Sequence, residues 1–141
     1  MKILVSACLL GRNCKYSGGN NLDEKVIEFV RGHEVIEVCP EEAAGLGIPR
    51  VPMEIVDGVL INKEGIVVDE PVRRAVAKIV AENPDAELAI LKSRSPTCGV
   101  KQVYDGTFSG KLIDGAGVLA QALKEAGIKT IDAEDLANEG I

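Results

Sequence analysis

The chain has 141 residues, of which 46 % are apolar, with four cysteines, no tryptophan and a formal net charge of −6. That length supports a single domain over residues 1–141 with a core that needs neither disulfides nor a structural metal. The negative charge argues against a surface that coats nucleic acid, no apolar run approaches the ~20 residues of a membrane helix, and Met1-Lys2 leads directly into a strand-like run without a signal-peptide pattern.

In chain order, residues 2–8 read as a first strand ending at Cys8. Asn20 and Asn21 offer a cap for an amphipathic helix with Leu22, Val26, Ile27, Phe29 and Val30, which runs to Arg31 and stops at Gly32. Residues 34–39 form a second strand ending at Cys39. Residues 54–61 and 65–69 read as a small hairpin across the polar turn Asn62-Lys63-Glu64-Gly65. Asp69 is expected to cap a helix with Pro71 in its first turn and Val72, Val76, Ile79 and Val80 inward, ending near Asn83-Pro84. Strand 87–92 follows, then a long loop to residue 114. Asp114 is expected to cap a last long helix carrying Val118, Leu119, Ala122 and Leu123 inward and ended by Gly127. Strand 128–131 and a short C-terminal helix finish the chain. Short β-branched runs alternating with helical segments are the βαβ signature. The expected fold is therefore α/β, a three-layer αβα single domain with a mainly parallel sheet plus a small β-hairpin.

Loops 9–20, 40–53 and 93–114 exceed the ~2–6 residues usual for such connections, and each follows a predicted strand. All three therefore lie on the carboxyl edge of the sheet, where open α/β folds bind ligands. Cys8, Cys39 and Cys98 fall on the same edge. Three thiols can hold a metal centre and leave one position open. A cytoplasmic location is expected, where thiols stay reduced, so the cysteines read as ligands or catalysts rather than bridges. Burial of cysteine as a small hydrophobe is the plainer alternative. No paired C-x₂₋₄-C knuckle favours structural zinc, no Cys-x-x-Cys favours a redox thiol, and the single histidine, His33, sits at the far edge. Scattered thiolates and the dipeptide Cys39-Pro40 suit an iron–sulfur cluster better.

Polar residues surround these thiols. Glu41 could act as acid or base, or could simply place charge with Glu42 at a helix N-terminus. Ser95 and Thr97 could orient a substrate or cap loop N–H groups; for Ser93 the second role is preferred. Gly99 permits close backbone approach, and Gly115-Ala116-Gly117 offers an anion site or tight helix packing. Lys15, Arg50, Lys92 and Arg94 could make the site electropositive or be solvated charges.

Six ordered motifs now point one way: Ser6-Ala7-Cys8-Leu9-Leu10-Gly11, Cys14-Lys15-Tyr16-Ser17-Gly18-Gly19, Cys39-Pro40-Glu41, Pro49-Arg50, Ser95-Pro96-Thr97-Cys98-Gly99 and Tyr104-Asp105-Gly106-Thr107-Phe108. Together, from residue 3 to about residue 134, they resemble the bacterial thiouracil desulfidases. The resemblance implies a [4Fe-4S] cluster held by three cysteines, with the fourth iron free to take the sulfur of 2-thiouracil. Cys8, Cys39 and Cys98 match the ligand positions. Glu41 matches an acid/base residue, and Ser95 and Thr97 both lie in the motif that carries the site hydroxyl. Cys14 matches a position that is apolar in a fused branch of the family acting on thiolated tRNA bases, and is not assigned as a ligand. Ser17 stands where the family usually has Asp. The expected activity is a non-redox desulfidase taking a small thiolated pyrimidine such as 2-thiouracil to uracil and hydrosulfide, with no nucleic-acid or membrane partner. The alternatives are an iron–sulfur or sulfur carrier without catalysis of its own, and a zinc-stabilised binding module.

Overall fold

The computed structural model describes residues 1–139. In chain order the elements are β1 (Lys2–Ser6), a 3-10 turn (Ala7–Leu10), α1 (Glu24–Val30), β2 (Glu34–Val38), α2 (Pro40–Ala43), β3 (Met53–Val56) and β4 (Val59–Asn62). They continue with α3 (Asp69–Glu82), β5 (Leu88–Leu91), β6 (Gln102–Tyr104), β7 (Leu112–Asp114), α4 (Val118–Glu125), β8 (Lys129–Asp132) and a final 3-10 segment (Ala133–Glu139). Among the described residues a parallel sheet runs in the order β2-β1-β5-β8, with β3-β4 and β6-β7 as separate antiparallel hairpins. No described helix is long and apolar enough to cross a membrane.

The two middle strands are buried on both faces, as their unbroken apolar runs Ile3-Leu4-Val5 and Leu88-Ala89-Ile90-Leu91 require. Alternation then divides the core. Ile3, Val5, Leu88 and Ile90 face Val26 and Val30 of α1 and Leu136 of the C-terminal segment. Leu4, Ala89 and Leu91 face Val72, Val76 and Ile79 of α3 and Leu119 and Leu123 of α4. The result is the expected three-layer α/β arrangement.

The strand order places the site. The chain leaving β1 crosses to β2 on one side, whereas the chain leaving β5 crosses to β8 on the other. The two connections part between β1 and β5, which opens a crevice beyond their carboxyl ends. Cys8 enters it just after β1, and the segment Ser93–Cys98 enters it just after β5.

Several local expectations are corrected. β1 stops at Ser6, and Cys8 lies in the 3-10 turn rather than in the strand. The cap of α1 is Asp23, whose carboxylate accepts from the N–H groups of Lys25 and Val26, not Asn20 or Asn21; Leu22 stays outside the helix and exposed. The hairpin turns at Asp57-Gly58, both with positive φ (50° and 79°), and not at 62–65. Residues 65–69 contribute only a bridge from Val67 to Ile61. Asp57-Gly58 is the stronger hairpin signal, because a two-residue turn of type I′ needs positive φ at both central residues. Asp69 begins α3 without capping it; its carboxylate accepts from the Leu60 N–H at 3.0 Å and pairs with Arg73, tying α3 to the hairpin. Asp114 belongs to β7, and α4 starts at Val118. The loop expected over 93–114 contains the β6-β7 hairpin. The final helix is 3-10 over Ala133–Glu139, and residues 140–141 lie outside the described residues.

Gly117 is where α4 meets the site. A Cβ there would lie 2.5 Å from the carbonyl carbon and oxygen of Thr97, although its φ of −67° suits any residue. Gly117→Ala must therefore displace the Thr97 backbone. Such overpacking costs about 1–3 kcal/mol, and urea unfolding should show that loss; unchanged stability would contradict the packing described.

Candidate active site

The crevice is a cavity of about 660 Å³ whose walls include Cys8, Cys14, Cys39, Glu41, Arg50, Lys92, Ser95, Thr97 and Cys98. The six residues matched through the resemblance, Cys8, Cys39, Cys98, Glu41, Ser95 and Thr97, are thus in one place. Tyr104 and Phe108, from the β6-β7 hairpin, close another side. That hairpin is tied down by Glu54 of β3, which accepts from the N–H groups of Gly106 at 2.9 Å and Phe108 at 3.2 Å.

Glu41 is fixed from two directions. Its Oε2 accepts from Arg50 Nη2 at 2.6 Å, and its Oε1 accepts from Thr97 Oγ1 at 3.2 Å. Side-chain exposure is 6 % for Arg50 and 16 % for Glu41, so water competes little with this pair. The Arg50 guanidinium also donates to the carbonyls of Cys14 at 2.8 Å and Gly47 at 2.9 Å. Of the two readings open for Glu41, the helix-terminus role leaves these bonds unexplained. α2 is four residues long, and the carboxylate turns to other loops.

Ser95 and Thr97 form one chain of hydroxyls, 3.0 Å apart. Ser95 Oγ accepts from the backbone N–H groups of Thr97 and Cys98, at 3.2 and 3.0 Å, so its own hydrogen is free to donate to Thr97 Oγ1. Thr97 in turn can donate to Glu41. Thr97 is buried and Ser95 only partly so, which makes Thr97 the inner link. Ser93 is buried and accepts from Lys92 Nζ at 3.1 Å, a side-chain bond in place of the capping of loop N–H groups expected for it.

The other expectations divide. Lys92 lies beside Cys8, whereas Arg94 pairs with Glu134 and Lys15 reaches Asn21 at 3.4 Å. Gly115-Ala116-Gly117 is not an anion cradle: the N–H groups of Gly115, Gly117, Val118 and Leu119 donate to the carbonyls of Lys101, Gly99, Pro96 and Thr97. Packing is its role, and Gly99 shares it, with the Gln102 oxygen 2.6 Å from where its Cβ would stand. No sequence signal marks Asn21 as a donor to Cys8 Sγ, at 3.4 Å, because asparagine before a helix reads first as a cap.

The thiols test the expected cluster. Cys8, Cys39 and Cys98 share the cavity but are not all within 4.8 Å of one another; the described three-donor set that is so close is Cys14, Cys39 and Glu42. A single ion therefore does not account for Cys8 and Cys98. A cluster that binds each thiolate through a different iron fits such a spread. Burial raises the Cys8 thiol, partly offset by the Asn21 hydrogen bond. Burial pushes the Cys98 thiol from 9.0 up to about 12, with opposing hydrogen bonds from Ser6 and Thr97 and the nearby Glu41 and Cys8 raising it further. Cys14 is likewise pushed up to about 12, by burial first and then by Cys39.

A folded-state value above the unfolded one means that the native protein holds protons the unfolded chain releases. Stability from this source is complete below pH 9 and is lost as pH rises toward about 12. Cluster-free protein should lose resistance to urea progressively above pH 9, and Cys98→Ser should flatten the decline. The same slope in both proteins would contradict the assignment.

Known proteins match this architecture. The family model for 2-thiouracil desulfurase matches residues 3–135. The uncharacterized protein YbbK of Bacillus subtilis (strain 168) is 38 % identical over 146 residues, spanning 95 % of this chain and 97 % of its own. The solved structure of a [4Fe-4S]-dependent thiouracil desulfidase, TudS, superposes with a TM-score of 0.90 at 29 % identity, covering 99 % of this chain and 95 % of that one. The chain belongs to the 2-thiouracil desulfurase family.

Proposed function

We propose that this protein is a desulfidase that converts 2-thiouracil or a related thiolated pyrimidine to uracil and hydrosulfide, using a [4Fe-4S] cluster held by Cys8, Cys39 and Cys98. The observation that carries the reading is the bonded chain Ser95–Thr97–Glu41 running beside Cys98 in the cavity that holds the other two thiols. The family match and the similarity to TudS support it. Bound through three thiolates, the cluster supplies an iron with an open position, a Lewis acid that prefers soft sulfur to oxygen.

The chain's own residues then have separable tasks. Glu41 Oε1 faces Thr97 and can take a proton from water attacking C2 of the base, while Arg50 keeps Oε2 occupied and so fixes which oxygen is available. Thr97 follows that change by reorienting its hydroxyl toward Cys98 Sγ, 3.7 Å away. Ser95, the more accessible hydroxyl, holds the base against the cavity wall, with Tyr104 and Phe108 available to flank it. Lys92, beside Cys8, offsets negative charge at the thiolates. The C=S bond is replaced by C=O; of the two protons of water, one leaves on the hydrosulfide and the other passes through Glu41 to solvent. Water supplies the oxygen, sulfur leaves as hydrosulfide, and carbon keeps its oxidation state, so no external electron donor is needed.

Glu41→Gln should retain iron and sulfide after anaerobic reconstitution and lose uracil formation by ~10²–10⁴-fold, the usual contribution of a general base. Turnover equal to the parent would remove Glu41 from the mechanism. A fully loaded parent protein that leaves 2-thiouracil untouched would refute action on that substrate. If other thiolated pyrimidines are also untouched, a carrier role would stand in place of catalysis.

A further inference from the structure

The fourth cysteine has no task in the reaction above. Cys14 is 1 % exposed and sits against Cys39 rather than in an apolar layer. Its backbone is pinned by the Cys14 N–H donating to Arg12 O at 2.9 Å and by Arg50 donating to Cys14 O. One donor atom from each of Cys14, Cys39 and Glu42 lies within 4.8 Å of the other two. Glu42 adds an independent sign. One carboxylate oxygen, Oε1, accepts from Arg12, while Oε2 is buried without a hydrogen-bond partner among the described residues. A buried carboxylate oxygen left unpaired is costly, so such a group needs an explanation.

We infer that Cys14, Cys39 and Glu42 form a binding site for a single zinc-class divalent cation, distinct from the cluster site and sharing only Cys39 with it. Two thiolates and a carboxylate are the donor set that selects zinc-like ions over magnesium or calcium. Tetrahedral coordination with metal–sulfur bonds of ~2.3 Å places donors about 3.8 Å apart. With the donor atoms already within 4.8 Å of one another, small rotations of the three side chains reach that spacing. Charge also balances: two thiolates and Glu42 carry three negative charges, which a divalent ion and the Arg12 guanidinium match. With only three protein donors, the fourth position is left to water from the cavity that Cys14 and Cys39 line. With one position open, the site differs from the closed four-ligand sites that staple folds. Because Cys39 serves both centres, an ion here excludes the cluster. That exclusion rests on the proposed cluster, whereas the ion site itself does not.

Cobalt(II) is a suitable probe, since thiolate coordination gives it a near-ultraviolet charge-transfer band. Reduced, cluster-free full-length protein titrated anaerobically with cobalt(II) should bind one equivalent, and zinc should displace it. Cys14→Ser and Cys39→Ser should lose the band or weaken binding at least 10-fold, and Glu42→Gln should weaken it without touching a cysteine. Cys8→Ser and Cys98→Ser should keep it. Iron and sulfide uptake should show a different pattern: retained by Cys14→Ser, lost by Cys8→Ser, Cys39→Ser and Cys98→Ser, and reduced in parent protein preloaded with zinc. A cobalt band that survives in Cys14→Ser, or that vanishes in Cys8→Ser or Cys98→Ser, would overturn the ion site. Equal iron uptake with and without zinc would overturn the exclusion. Failure of the cluster itself appears only in the iron and sulfide analysis, so the two readings fail separately.

Discussion

Glu41 joins three parts of the chain that have no sequence proximity. Arg50 holds one of its oxygens, Thr97 approaches the other, and the same guanidinium grips the Cys14 carbonyl. The loops after β1, β2 and β5 therefore meet through one carboxylate–guanidinium pair. Removing one member of a largely buried pair leaves the other charge uncompensated, at a cost of about 3–5 kcal/mol. Without that pair the loops would still start at the sheet edge, but nothing equivalent would set the Thr97 hydroxyl against Glu41 or hold Cys14 close to Cys39. The sheet brings the site residues to one edge, and the pair gives them their relative positions.

The fold was readable where a residue's pattern depends on one strong effect. Ile3-Leu4-Val5 and Leu88-Ala89-Ile90-Leu91 are apolar on both faces, which only strands covered by helices on two sides tolerate. Val72, Val76 and Ile79 recur at helical spacing and do face the core. Errors arose where weak local signals compete. Asn20, Asn21, Asp69 and Asp114 are all residues that can cap a helix, yet tertiary partners claimed three of them. Asn21 went to a thiol, Asp69 to the hairpin, and Asp114 to a strand. The hairpin was shifted because Asn62–Gly65 also turns, with its own bond from Gly65 N–H to Asn62 O, and masked the Asp57-Gly58 turn. The short strands β6 and β7 have three residues each, too few to show a period.

The candidate site was more legible than the fold details, because loops that follow parallel strands must emerge on one edge. Cys8, Cys39, Cys98, Glu41, Ser95 and Thr97 all line the same cavity. What sequence could not supply was pairing. Pro49-Arg50 stood out as a motif, but nothing in it says that Arg50 would fix Glu41. Ser95 and Thr97 looked like alternatives; their geometry makes them consecutive links, because two backbone N–H groups occupy Ser95 Oγ and direct its hydrogen onward. The proximity of Cys14 to Cys39 is a long-range contact between loops and leaves no trace in spacing.

The thiols are arranged at two scales. Cys14, Cys39 and Glu42 are close enough for one ion, while Cys8, Cys39 and Cys98 are spread more widely around the cavity. The wider set is the one proposed to hold the cluster, and the proposed chemistry depends on an iron that no thiolate would occupy. Mössbauer spectroscopy of protein reconstituted with isotopically enriched iron tests this most directly. The account predicts a [4Fe-4S] spectrum in which one iron differs from three thiolate-bound irons and alone shifts when hydrosulfide is added. A spectrum of mononuclear iron, or four iron sites that all ignore hydrosulfide, would contradict it.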